Sequence, residues 1–325
     1  MRPWLLAGCL VSASVAWAAE AIPVARTVDL GAVVARPGDR TPLNFRALAA
    51  NDREIAVWVE RGSSRAPHGN EKLVYRFSQD LEPTGAVTLP LGALLPLSED
   101  FGLDREGNVV FLRTRPSGAP PRGAPNTSWV TAVNTDGDVV SELEVGGLPI
   151  ALSVGERPVL VDEAGAVLEA GASLIAEIDA PRIPPQAGRM AWLPLAARDA
   201  QGRVAIVDTI GAKLTVVAPG QAPMTLPVPG VTAANADGAP LLRGLAVDED
   251  GVLASFLMRG RPSEGYALLR FDLAGEPRAT LRLTPVVEDP ERGEAGYLLP
   301  QDLLVMRDRV MALGSRGKLT VYAIK

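Results

Sequence analysis

Cysteine is almost missing from this chain of 325 residues: its one copy, Cys9, lies close to the N-terminus. If Cys9 leaves with a cleaved leader, the rest of the chain has no disulfide and no thiolate nucleophile, and core packing alone stabilises it. Histidine is as scarce. Its one copy, His68, falls in the loop from Ser63 to Gly69 and is expected to be a solvated loop residue rather than a base or a ligand. Metal centres built from several His and Cys are thereby excluded. The sequence has no Gly-x-Ser-x-Gly elbow, phosphate loop or dinucleotide fingerprint, and a Ser-His-Asp enzyme would have only His68 to use. Beyond the N-terminus no run reaches the ~18 apolar residues needed to cross a bilayer, so no membrane span is expected. Positive charge is not in surplus either. With 32 Lys and Arg against 38 Asp and Glu the net charge is −6, which repels phosphate backbones and argues against nucleic acid as a partner.

The N-terminus reads as a secretory signal. Met1-Arg2 supplies a positive charge, Trp4 to Ala16 is apolar, and Ala16-Trp17-Ala18 has the small-x-small pattern of a cleavage site after Ala18 or Ala19. The expected division is a signal peptide over 1–19 and a single domain over 20–325, exported to the periplasm or the extracellular space. Leu6-Ala7-Gly8-Cys9 also matches the pattern preceding a lipid-modified cysteine. Only about five apolar residues precede Cys9, short of the 7 to 15 of a hydrophobic signal core, so the lipoprotein reading is the weaker one. Asn126-Thr-Ser is a glycosylation sequon, relevant only in a host that has that machinery.

Glycine and turn residues organise the remainder. Short strand-like runs are punctuated at Asp104-Arg-Glu-Gly107, Asn134-Thr-Asp-Gly137, Asp162-Glu-Ala-Gly165, Asp199-Ala-Gln-Gly202, Asp248-Glu-Asp-Gly251 and Asp272-Leu-Ala-Gly275. The Asp or Asn side chain bonds amides ahead of it, and Gly takes the φ > 0 position. Two such turns per repeat place repeat starts near Leu43, Asp100, Pro149, Ala191, Leu242 and Gln301, a spacing that suits four-stranded propeller blades. The fold expected is all-β, a six-bladed β-propeller in which an N-terminal strand, Arg26 to Val34, pairs with Lys318 to Ile324 to close the last blade. The third repeat, Pro149 to Asp179, carries the weakest strand signal. Trp58, Trp129 and Trp192 are expected in blade packing rather than in a sugar-stacking platform.

Leu195 to Gly220, with Asp199-Ala-Gln-Gly-Arg-Val-Ala-Ile-Val-Asp208 and the strand after it, resembles a unit of the NHL-repeat propellers, and Gly244 to Phe256 has the same rhythm. The wider superfamily includes gluconolactonase-like enzymes. The resemblance implies fold and not activity, since such propellers serve as binding scaffolds, lyases and lactonases alike. It also implies a place to look for calcium, the channel mouth where innermost strands begin. Asp100, Arg243 and Asp302 fall there, beside Glu99 and Gln301, but the sequence has no clear counterpart of the family's Asn ligand. The Asp-x-x-Gly turns carry one carboxylate each and read as hairpin turns, without the dense acidic spacing of a calcium loop.

Sorting loops by face gives a second pattern. The first-to-second and third-to-fourth strand turns lie on one face and are mostly acidic: Asp52, Glu54, Asp80, Glu82, Asp104, Glu106, Asp136, Asp138, Asp248, Glu249 and Asp250. The long second-to-third loops on the other face lean basic, with Arg61, Arg65, Arg113, Arg115, Arg122, Lys213, Arg259, Arg261, Arg316 and Lys318. Glu288, Asp289, Glu291 and Glu294 offset part of that field. The expected function is a monomeric binding scaffold for a protein, a glycan or a small anionic ligand, with Arg61, Arg113, Arg115, Arg259, Arg261 and Arg316 as ligand-binding candidates. No catalytic residue and no obligatory cofactor is assigned. The alternative is a calcium-assisted hydrolase or lactonase working in the channel.

Overall fold

The strand Glu54–Arg61 shows why these residues form a radial stack of sheets. Its interior, Ile55 to Val59, is buried at every position, whereas a sheet with one wet face would bury only alternate residues. The alternation reappears as a division between two neighbours. Ile55, Val57 and Val59 join one apolar cluster, and Ala56 and Trp58 join another on the opposite face. At ~1.5–3 kcal/mol for each large apolar side chain taken out of water, such a strand is stable only between two other sheets.

The computed structural model describes residues 20–36, 38–62, 70–89, 101–114, 128–145, 149–155, 157–170, 173–181, 195–208, 213–227, 241–248, 250–257, 266–274, 276–296, 300–314 and 316–324. Among them are six antiparallel blades. The N-terminal segment contributes β1 (Glu20–Ile22), β2 (Val24–Asp29) and the short helix α1 (Leu30–Val34). Blade one is β3 (Leu43–Ala50), β4 (Glu54–Arg61), β5 (Glu71–Ser78) and β6 (Pro83–Thr88). Blade two is β7 (Phe101–Leu103), β8 (Val109–Thr114), β9 (Ser128–Val133) and β10 (Val139–Val145). Blade three is β11 (Pro149–Ser153), β12 (Val159–Asp162), β13 (Ala166–Glu169) and β14 (Ser173–Glu177). Blade four is β15 (Leu195–Arg198), β16 (Val204–Asp208), β17 (Lys213–Val217) and β18 (Met224–Pro227). Blade five is β19 (Leu241–Asp248), β20 (Gly251–Leu257), β21 (Tyr266–Phe271) and β22 (Pro277–Leu283), and blade six is β23 (Pro300–Val305), β24 (Arg309–Gly314) and β25 (Lys318–Ala323).

The innermost strands β3, β7, β11, β15, β19 and β23 each pack against the next, and β23 returns to β3, so the ring is closed. Six apolar clusters fill the six seams between blades. In the first seam Trp58 packs edge-on against Phe101 and Phe111, at centroid distances of 5.6 and 6.0 Å. Two glycines mark close approach of inner strands. A Cβ on Gly102 would stand 2.4 Å from Val154 Cβ, and one on Gly244 would stand 2.7 Å from the Leu303 carbonyl oxygen. Asp302 adds a polar clasp, its carboxylate accepting the Leu48 amide at 2.7 Å across the seam between blades six and one.

Closure uses the N-terminus, as the sequence predicts, with two differences. β2 pairs antiparallel with β25, Asp29 opposite Lys318, and becomes the outermost strand of blade six. The strand ends at Asp29, however, and residues 30–34 are helical: the Asp29 carboxylate accepts the Ala32 amide at 3.0 Å, while buried Leu30 donates to the Gly317 carbonyl at 2.8 Å. The capping carboxylate and the burial of Leu30 and Val34 outweigh the apolar strand pattern there. The second difference is β1, which pairs parallel with β22 as a fifth strand of blade five. One segment therefore covers the outer edges of two adjacent blades. Ile22 is tied further by its carbonyl, which accepts the Thr284 amide and hydroxyl at 3.0 and 2.9 Å.

The repeated turns are hairpins. Asp104 Oδ1 accepts the Asn108 amide at 2.7 Å, and Gly107 sits at φ 88°, where a side chain would be strained. Asp162 is the exception to the order expected of these turns. Asp162 to Gly165 joins β12 to β13, a second-to-third turn on the opposite face from the others. In blade three the second and third strands are therefore joined by a tight turn in place of a long loop.

Candidate functional site

The mouth of the channel on the face of the first-to-second turns holds a cavity of about 830 Å³. Its walls come from the turns that follow the innermost strands of blades one to four, with Arg53, Arg105, Arg157 and Arg198 and the carboxylates Asp52 and Asp199, and from Glu169 at the end of β13. Turn chemistry places these groups. Asn51 accepts the amides of Arg53 and Glu54 at 2.9 Å each, which fixes the blade-one turn and leaves Arg53 exposed at its tip.

The blade-three and blade-four side is the most ordered part. Glu169, at the end of β13, is shared by two guanidinium groups, Arg198 Nη1 at 3.0 Å and Arg157 Nη1 at 3.3 Å. Arg198 Nη1 also donates to the Arg157 carbonyl at 2.9 Å. Its side chain is only 20% exposed, against 72% for Arg157. The hydrogen bond from Arg198, followed by that from Arg157, holds the Glu169 carboxyl below the ordinary glutamate range. Gly202 lines the wall beside Arg198, and a Cβ there would come within 3.4 Å of Arg198 Nη2. Asp199 is already neutralised by Arg203, which bonds its carboxylate and donates to the Asp248 carbonyl at 3.1 Å. Two guanidinium groups sharing one carboxylate leave positive charge on the cavity wall of a chain whose net charge is −6.

The turns of blades five and six are arranged differently. Asp250 pairs with Arg307 at 3.4 Å and with Arg270 at 3.7 Å, and Arg309 pairs with Asp308 at 2.8 Å. Asp250, like Glu169, is thus shared by two guanidinium groups, but it belongs to blades five and six, whereas the cavity is lined by blades one to four.

The residues singled out from the sequence are distributed as follows. Arg61, at the end of β4, is held between Asp39 and Glu71, the latter at 3.4 Å, with its side chain 10% exposed. Arg113 stands in β8 opposite Trp129, and Arg316 is exposed in the turn before β25. Arg115, Arg259, Arg261 and Asp100 lie outside the described residues, as does His68. Arg243 is the extra residue of a bulge in β19, between Leu242 and Gly244. Asp302 serves the clasp to Leu48. Among the described residues no three His, Cys, Asp or Glu side chains gather at metal-holding distance. The hairpin carboxylates are engaged by their own turns, Asp248 Oδ1 with the Asp250 and Gly251 amides at 2.8 and 3.0 Å for example. No helix of the described residues is long and apolar enough to cross a membrane.

The first-to-second turns, expected to be mostly acidic, also carry arginine. Arg53, Arg105 and Arg157 recur at equal spacing along the sequence, each beside such a turn, and that recurrence was the available signal. Glu169 carried none, because it sits in the short-stranded third blade.

No protein-family model and no curated protein matches the chain. Solved structures do. Virginiamycin B lyase from Staphylococcus aureus is 13% identical, over 92% of this chain and 99% of that one, at a TM-score of 0.48. The periplasmic gluconolactonase PpgL of Pseudomonas aeruginosa is 17% identical, over 86% of this chain and 85% of that one, at 0.44. YCF48 bound to D1 peptide is 13% identical, over 94% and 100%, at 0.45. At such identities the resemblance concerns architecture, which is shared by lyases, lactonases and binding scaffolds and does not select among them.

Proposed function

We propose that this protein is an exported, non-catalytic propeller that binds a small anionic ligand at the arginine-lined mouth of its channel. The reading keeps the NHL-like kinship suggested by blade four and the signal peptide suggested by residues 1–19. What supports it above all is the pair Arg157 and Arg198 sharing the single carboxylate of Glu169 on the wall of a cavity of about 830 Å³. Guanidinium groups bind carboxylate and phosphate oxygens in paired, charge-assisted hydrogen bonds. Arg198, already oriented by Glu169 and the Arg157 carbonyl, loses little freedom on doing so.

Calorimetry at low salt with citrate, a sugar acid and inorganic phosphate tests the reading. Binding of at least one, weakened about tenfold by Arg198→Ala and screened by added salt, is the expected result. Three silent titrations would end it. Export is tested by mass spectrometry of secreted material, which should begin at Ala19 or Glu20.

A further inference from the structure

The inference rests on the anion-binding reading and specifies the ligand. In a closed ring of six blades, blade one and blade four are three steps apart in either direction and so face each other across the channel axis. Arg53 belongs to blade one and Arg198 to blade four, yet both line the same cavity. The cavity therefore crosses the mouth rather than lying against one wall. We infer that the ligand is an elongated molecule with an acid group at each end, laid across the channel mouth between Arg53 and the Arg157–Arg198 pair.

The two ends of the site differ. At blade four Arg198 is mostly buried and fixed by Glu169, so that end is an oriented anchor for one acid group. At blade one Arg53 is exposed, no described carboxylate pairs with it, and Asp52 stands next to it in the same turn. That end is a flexible second contact, selective for acid groups that reach past Asp52. Gly202, at φ 81° in the turn beside Arg198, lines the same wall. A monoanion reaches one end only. A compact dianion places both charges at one end, where the second lies close to Glu169 and is repelled. Separation of the two acid groups is what the site rewards.

Calorimetry of the purified protein at low salt, with unbranched dicarboxylates from four to nine carbons and the matching monocarboxylates, decides the matter. The dicarboxylates should show an optimum in chain length, with the best at least about fivefold tighter than its monocarboxylate. Arg53→Ala, a change at an exposed tip, should bring that dicarboxylate to the monocarboxylate level and leave the monocarboxylate itself unchanged. Arg198→Ala should weaken both. If that variant does not fold, Arg157→Ala, at a largely exposed side chain, takes its place with the same expected pattern. Equal affinity for mono- and dicarboxylates, or the same response of both to Arg53→Ala, overturns the two-ended ligand while leaving an anion site. Absence of any carboxylate or phosphate binding overturns the anion site itself.

Discussion

The clasp between Asp302 and Leu48 lends itself to a quantitative test. β3 has no strand on its inner side, so the Leu48 amide depends on the Asp302 carboxylate, which it reaches at 2.7 Å. Asp302→Ala removes a charge-assisted hydrogen bond worth ~1.5–3 kcal/mol and strands a largely buried donor, so a loss of about 2 kcal/mol is expected. For a domain of some 300 residues the unfolding entropy near the midpoint is ~0.6 kcal/mol/K, which converts that loss into a fall in Tm of roughly 3 °C. Asp302→Asn keeps an oxygen acceptor and should lose about half as much. Urea unfolding and calorimetry read both variants. A calcium arm separates the clasp from a metal role: millimolar calcium should leave the Tm of wild type and Asp302→Asn alike. If Asn destabilises more than Ala, or calcium raises the wild-type Tm by several degrees and not that of Asp302→Asn, the clasp is wrong and the channel holds an ion.

Other outcomes follow from particular contacts. Gly102→Ala should destabilise by ~1–3 kcal/mol in urea unfolding, because the new methyl group overlaps the Val154 side chain across the seam between blades two and three. Tyr322→Phe should cost ~1 kcal/mol, since the buried phenol, whose pKa burial pushes up, donates to the Thr284 carbonyl at 2.8 Å. Glu169 has a depressed pKa, so its contribution is present above the ordinary glutamate range and is lost as pH falls through its lower folded value. The stability difference between wild type and Glu169→Gln should therefore be largest near neutrality and shrink toward pH 3. Replacing Arg259 and Arg261 together by Ala tests the long-loop face, and the mouth reading expects carboxylate affinity to be unchanged in calorimetry.

Much of the architecture was legible in the sequence because it is written in local chemistry. The Asp-x-x-Gly and Asn-x-x-Gly turns require a carboxylate or amide oxygen and a residue free to take positive φ, and Asp104 to Gly107 does so in the fold as it does on paper. Repeat spacing then gave six sheets, and the unpartnered strands at the two ends gave the closure of β2 on β25. Residues 30–34 were misread because an apolar stretch after a strand does not reveal that Asp29 caps a helix. β1 was missed because three residues carry no period.

The candidate site depended on tertiary structure. Sequence alone determined an all-β chain with one histidine, little capacity for cysteine chemistry, an excess of negative charge and turns at blade spacing. Which arginines remain available depends on the pairing of strands and blades: Arg61 meets Asp39 and, on the neighbouring strand, Glu71, while Arg157 and Arg198 share Glu169. The pairing of Arg198 with Glu169, 29 positions apart and on neighbouring blades, follows from how blades pack around a common axis. Only the closed ring sets Arg53 opposite Arg198.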